Sequence, residues 1–286
     1  MWQLYFLLSK IFNVEEQAEE RVNRSIGDHV DARECNLIES SLSKREYLDA
    51  VTRCSHFVEV PHVSQLESWD CGIACIVMAL NAVGIKDCSV QGLAELCHTT
   101  SIWTVDLAYL LQKFSVRFSY FTVTFGANPN YSGEIYYKEQ LPTDLERVDM
   151  LFRKSREEGI HIQCRSINER EISLLILSGK YIAIALVDQY KLSQSWMEEV
   201  IFPGLSIGNS SYTGHYVVIC GYDARSNEFE IRDPASSRKT ERISSKCLEE
   251  ARKSFGTDED LLLISLEKRS EVNSSSIHLP PHINVS

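Results

Sequence analysis

The chain has 286 residues, 44% of them hydrophobic and 24% charged, and a formal net charge of −11 at pH 7. That apolar content is enough for a full core in one large domain or two small ones, and it excludes disorder along the whole length. The acidic balance, with no Lys/Arg block to counter it, argues against a nucleic-acid or acidic-membrane surface and makes a polyanionic substrate less natural unless a local pocket is basic.

In chain order, the first twelve residues, MWQLYFLLSKIF, are apolar but too short to span a bilayer and carry no secretory pattern, so they read as a short amphipathic or docking helix. A polar leader follows to residue 55, with a short helix at Ser43–Thr52. FVEVPHV at 57–63 alternates like a strand, and Pro61 confines it to an edge or an end. SWDCG then turns the chain into a helix that opens at Cys71 and continues through IACIVMAL. Asp106–Phe114 has helical spacing behind a Thr104 cap, and Val116–Thr124 alternates in β fashion. Residues 126–143 combine Gly, Asn and Pro with several tyrosines and predict an ordered loop that shapes a site. Helices at Asp144–Glu158, exposed, and Asn168–Leu177 alternate with strands at Ile160–Cys164 and Tyr181–Val187. After a loop region at Lys191–Tyr212, Tyr216–Tyr222 and Glu228–Arg232 form a hairpin through DARSN. A helix at Ser245–Ser254 and a strand at Leu261–Leu266 close the domain. The expected organisation is therefore a leader at 1–55, an α+β domain at 56–267 and a flexible tail at 268–286.

Nine cysteines, at 35, 54, 71, 75, 88, 97, 164, 220 and 247, form an odd set without a secretory signal, which points to a reduced cytoplasmic or nuclear compartment. Cys71 and Cys75 share a helix face, and Cys88 lies near Cys97 and His98, but these spacings fit no familiar zinc module. A Cys71–Cys75 disulfide is disfavoured in that compartment.

Two distant stretches hold the chemistry: QLESWDCGIAC at 65–75 and GHYVVICGYDARSNEFEIRDP at 214–234. A thiol at a helix N-terminus is favoured as thiolate by the helix dipole. It needs a base, the base needs an acceptor to fix its tautomer, and the developing oxyanion needs a donor. Cys71, His215, Asp233 and Gln65 fill those roles in turn, with the Cys71 N–H as second oxyanion donor. Alone, each has an ordinary reading as core filler, core histidine or turn residue. Their order, cysteine on a helix, histidine on a strand and acid after the next strand, is that of a papain-like fold: an N-terminal helical part and a mostly antiparallel sheet.

The segments WDCGIAC, SIWTVDLAYLLQKF, FGANPNYS, YYKEQL, YIAIALVDQ, TGHYVVICGYD and IRDPASS resemble the plant soluble guanylyl cyclase family, related to animal guanylyl cyclase domain-containing proteins, from Met1 to about Leu266. The core motifs at Gln65, Cys71, His215 and Asp233 also resemble the papain-like peptidases that process bacteriocin leaders. The first resemblance implies GTP as substrate, cyclic GMP and pyrophosphate as products, and Mg²⁺ or Mn²⁺ as cofactor. The second implies a thiol hydrolase acting on a peptide or acyl substrate without a cofactor. A non-catalytic binding module that retains the cleft is the third reading. No G-x-x-x-x-G-K-[ST] loop occurs, and Asp106, Glu134, Asp188 and Asp223, the acids that could approach a metal, read as caps and turn residues. A short serine, aromatic and basic pattern of the kind sought at plant cyclase centres can be laid on SIWTVDLAYLLQK, where Trp103 reads as core and Lys113 as a solvated helix end. Nothing in the chain sets an oligomeric state.

Overall fold

The run YIAIALV is apolar at both parities, so a strand made of it must be covered on both faces. The computed structural model, which describes residues 42–193 and 212–267, places it as β4 (Tyr181–Asp188) in the middle of one sheet. Ile182, Ile184 and Leu186 project into one core, and Ala183, Ala185 and Val187 into a second. The remaining strands are β1 (Ser55–Phe57), β2 (Phe118–Thr122), β3 (Ile162–Cys164), β5 (Gly214–Asp223), β6 (Glu228–Arg232), β7 (Glu241–Ser244) and β8 (Leu261–Ser265). Their order across the sheet is β3-β2-β8-β4-β5-β6-β7, with β1 paired to β5. Every pairing is antiparallel except β2 with β3.

The helices that frame the described cores are α1 (Lys44–Thr52), α2 (Cys71–Ala82), α3 (Val90–Cys97), α4 (Thr104–Lys113), α5 (Ile135–Lys138), α6 (Leu141–Lys154), α7 (Glu169–Leu177) and α8 (Ser245–Arg252), and residues 189–193 are also helical. The first core draws on α2, α3, α4 and α6, the second on α1, α7 and α8. The fold is thus α+β with a mostly antiparallel sheet, and its helices cover both faces of the sheet. Helix α2 is apolar all round, and every residue from Cys71 to Leu80 is buried, as a helix enclosed by its own domain must be. Helix α1 is fixed by a capping box between Ser43 and Glu46 and sends Ala50 into the second core beside Leu42.

Helix α3 and the edge strand β7 are among the elements that escaped the sequence reading. The expected strand at 57–63 forms earlier, as β1, after which the chain stays extended enough for Val58 N–H to reach the Cys220 carbonyl at 2.8 Å. The expected loop at 126–143 is built instead of a 3-10 turn (Pro129–Gly133), α5 and the first residues of α6. Helix α6 begins before Asp144 and is amphipathic rather than exposed, burying Leu141, Asp144, Val148 and Phe152. Arg147 ties it to α4 through Asp106 at 2.6 Å and also meets Asp144 of its own helix at 3.1 Å. The readings for residues 1–41, 194–211 and 268–286 lie outside the described residues. Among the described residues, no helix is long and apolar enough to cross a membrane.

Candidate active site

Helix α2 starts where Asp70 turns the chain, and its first internal bond runs from Ala74 N–H to the Asp70 carbonyl at 2.9 Å. The amide of Cys71 therefore precedes the ladder, in the positive end of the helix dipole. Gly72 sets how closely this end approaches the sheet. A Cβ there would lie 2.9 Å from both Leu107 Cδ1 and Tyr216 Cδ2, so only glycine lets α2 touch β5 beside His215. Cys71 itself is 5% exposed.

His215 and Asp233 come from one hairpin, and a bulge decides that they meet. Val218 lies opposite Arg232 and Ile219 opposite Ile231, but beyond Cys220 the register slips by one, pairing Gly221 with Glu230 and Tyr222 with Phe229. Side chains alternate along a strand with period two, so this slip exchanges the faces. With the bulge, Asp233 continues level with Val217 and on the face of His215; in an uninterrupted register it would stand level with Val218 and point away. The result is a 2.7 Å hydrogen bond between His215 Nε2 and Asp233 Oδ1, which also accepts from Ala235 N–H at 2.8 Å.

Burial of His215 works against its charged form, but the hydrogen bonds to Asp233 and to the Cys71 thiol outweigh it and hold the imidazole at about 9. Asp233 is held below the ordinary carboxylate range, with the His215 bond overcoming its own burial. At neutral pH such a histidine carries the proton rather than waiting for one. The arrangement therefore sets a nucleophile beside an acid that is already charged. Burial pushes the Cys97 thiol up to about 11, Cys220 up to about 12 and Cys75 far above the thiol range.

Gln65 is tied to the histidine side of this cluster. Its backbone N–H donates to the Pro234 carbonyl at 3.0 Å, next to Asp233, and His62 Nε2 meets the Asp233 carbonyl at 2.9 Å. Its side-chain Nε2 donates to the Glu67 carbonyl at 2.8 Å, and its Oε1 is enclosed without a partner. The sequence reading missed Asp70. Its type at a helix start signals a cap, yet it makes no side-chain cap bond and instead accepts from Leu66 and Glu67 N–H at 3.1–3.3 Å.

The 126–143 segment does shape the site. Tyr136 lies perpendicular to the stacked rings of Tyr137 and Tyr212, with Cε1 3.0 Å from where a Cβ on Gly214 would stand. Tyr136 keeps 45% of its surface open. Its hydroxyl end is enclosed beside Cys71, so that burial first and the neighbouring thiol second raise it above the ordinary tyrosine range.

The acids considered for a metal do not converge. Asp106 accepts from Trp103 N–H and pairs with Arg147, Glu134 is the N-cap residue of α5, Asp188 accepts from Tyr190 N–H, and Asp223 accepts from Arg225 N–H. Among the described residues, no three His, Cys, Asp or Glu are grouped to hold a metal ion. Among the described residues, these four acids form no shared donor set for Mg²⁺ or Mn²⁺, and Cys88, Cys97 and His98 do not form a zinc site. Among the described residues, no two cysteines are joined in a disulfide.

A family model described as guanylylate cyclase matches residues 60–264, a span that contains Gln65, Cys71, His215 and Asp233. The chain belongs to this family. Within it, Guanylyl cyclase 1 of Arabidopsis thaliana is 63% identical over 273 residues, covering 96% of this chain and 99% of that protein. Among solved structures, a putative C39-like peptidase from Bacillus anthracis has a TM-score of 0.40 at 16% identity, covering 75% of this chain and 97% of that one. Xylellain, a cysteine protease from Xylella fastidiosa, has a TM-score of 0.44 at 11% identity, covering 79% and 90%.

Proposed function

We propose that this chain is a guanylyl cyclase, converting GTP to cyclic GMP and pyrophosphate in the cytoplasm or nucleus. The observation that carries the reading is the 63% identity to Guanylyl cyclase 1 over nearly the whole of both chains, on top of the family match. Cyclisation forms a bond from the ribose 3′-oxygen to the α-phosphorus, breaks the bond to the pyrophosphate oxygen, and releases the hydroxyl proton. In this reading the His215 imidazolium, paired with Asp233 through Nε2, would offer its other ring N–H to a phosphate oxygen. Mg²⁺ or Mn²⁺ would supply charge neutralisation on the triphosphate. The test is cyclic GMP production by purified protein from GTP with either ion, read by mass spectrometry. Product lost in His215→Ala supports the reading; no product above a heat-killed control with either ion ends it.

A second reading, a thiol hydrolase acting on a peptide or other acyl bond, is favoured by the 2.7 Å His215–Asp233 bond beside Cys71. In it Cys71 attacks the carbonyl carbon, Gln65 and the Cys71 N–H receive the oxyanion, and His215 protonates the leaving group. Iodoacetamide at pH 7 then alkylates Cys71 well ahead of Cys75, Cys97 and Cys220, and His215→Ala suppresses the difference. Indiscriminate labelling removes this reading. The same chain carrying out neither reaction would be a binding module that retains the cleft.

A further inference from the structure

An aspartate directly before a helix ordinarily turns its carboxylate forward, onto the free amides of the first turn. Asp70 turns backward. Only 2% exposed, it takes both Leu66 N–H and Glu67 N–H on its two oxygens, leaving the start of α2 without a side-chain cap. Two consequences follow from these bonds. The amides of Gly72 and Ile73, which a capping carboxylate would take, receive no bond from Asp70. The loop carrying Gln65 is held at both ends, by the Pro234 carbonyl on the histidine side and by Asp70 on the cysteine side.

We propose that Asp70 is a positioning residue that locks the Gln65 amide and the Cys71 N–H into one oxyanion-binding unit, and that it acts through them without touching the substrate. This rests on the thiol-hydrolase reading of the site. Residues 65 and 71 lie on different segments, and their relative placement is otherwise left to the five residues between them, LESWD. Asp70 closes that loop with two charge-assisted bonds made within six residues of sequence. Its shape matters as well as its charge, because both partners are donors. An asparagine would present one acceptor and one donor to the same pair of N–H groups and would push one of them away.

The test uses two reagents that reach the same sulfur by different transition states. Iodoacetamide alkylates the thiolate by displacing iodide and develops no charge on a carbonyl oxygen. p-Nitrophenyl acetate is attacked at its carbonyl: a C–S bond forms, the bond to p-nitrophenolate breaks with its electron pair leaving on that group, and a tetrahedral oxyanion lies between. Both are followed on the full-length protein by mass spectrometry of the Cys71 peptide. The acylation is also read from released p-nitrophenolate. Misplacing an oxyanion donor costs about 10–100-fold, so Asp70→Asn is expected to slow acylation by that factor with alkylation unchanged. Gln65→Ala gives the same selective loss, and the double variant loses no more than the worse single one, because both changes disable one unit.

Loss of both reactions in step, or full retention of acylation in Asp70→Asn, overturns the proposal. A circular dichroism melt separates the first case from simple unfolding, and unfolding of Asp70→Asn would itself assign Asp70 a fold role and overturn the proposal. Wild-type protein that is alkylated but never acylated at Cys71 brings down the thiol-hydrolase reading and this proposal with it. Acylated wild type with an indifferent Asp70→Asn brings down the proposal alone.

Discussion

Replacing Asp233 by asparagine keeps the shape of the His215 partner and removes its charge. His215 is held at about 9 against an ordinary 6.5, a rise of about 2.5 units. At about 1.4 kcal/mol per unit, that is about 3 kcal/mol of net preference for the imidazolium, left after burial has opposed it. Without Asp233 only the Cys71 thiol offsets burial, and the midpoint is expected to fall by about 1–3 units, the span that one close opposite charge commands. The sign for stability follows from linkage. A group whose folded pKa is raised contributes fully below its unfolded value and loses the contribution as pH rises through the folded one. Wild-type protein should therefore lose about 3 kcal/mol of unfolding free energy between pH 6.5 and about 10, and Asp233→Asn much less. Asp233, depressed by the same pair, contributes above its unfolded value of 3.8 and loses that contribution as pH falls below it. The assay is a ring-carbon NMR titration of His215 in both proteins, with urea melts at pH 6, 8 and 10. A wild-type midpoint near 6.5, or an Asp233→Asn midpoint still near 9, refutes the reasoning.

Gly72→Ala places a methyl 2.9 Å from Leu107 Cδ1 and Tyr216 Cδ2, and such overpacking costs about 1–3 kcal/mol; an unchanged denaturation midpoint would show that α2 and β5 are not held so close. Arg147→Ala leaves Asp106 and Asp144, both buried, without their shared cation, and breaking a buried pair costs about 3–5 kcal/mol. The loss should shrink in acid, where burial, which already raises Asp106, favours its neutral form; a loss independent of pH counts against the charge explanation. Tyr136→Ala removes the wall beside Cys71, and a bulky fluorescent maleimide should then label Cys71 faster while iodoacetamide labelling barely changes. Equal acceleration of both reagents would place Tyr136 elsewhere in the cleft.

Much of the site was readable because its signals are local. The start of α2 shows in the change from polar SWD to an unbroken apolar run, and the His215–Asp233 hairpin shows in two alternating runs around a turn. What stayed hidden depends on tertiary partners. Helix α3 is short and contains Gly92, which lowers helical preference, and it is fixed by a Ser89 cap and by Val90 and Leu93 in the core. Strand β7 is polar at three of its four positions, and its inward residues, Glu241 and Ile243, gain meaning only beside β6. Asp70 looks like a cap in the sequence because direction is not written there. Gly221, isolated inside a strand pattern, was the one available mark of the bulge. The aromatic positions in 126–143 signalled order without revealing the short helix they would build.

The bulge at Cys220 also limits how this segment can change over evolutionary time. Substitutions along β5 and β6 alter packing by degrees, but inserting or deleting one residue between His215 and the bulge, or between the bulge partner and Asp233, reverses a parity. Every downstream side chain would swap sides, and the histidine would lose its carboxylate at a stroke. The DARSN turn lies beyond the bulge and can lengthen without touching that parity. In the descent of such chains, length should drift at the turn and stay frozen between the bulge and the site, where even residue identity is freer than residue count.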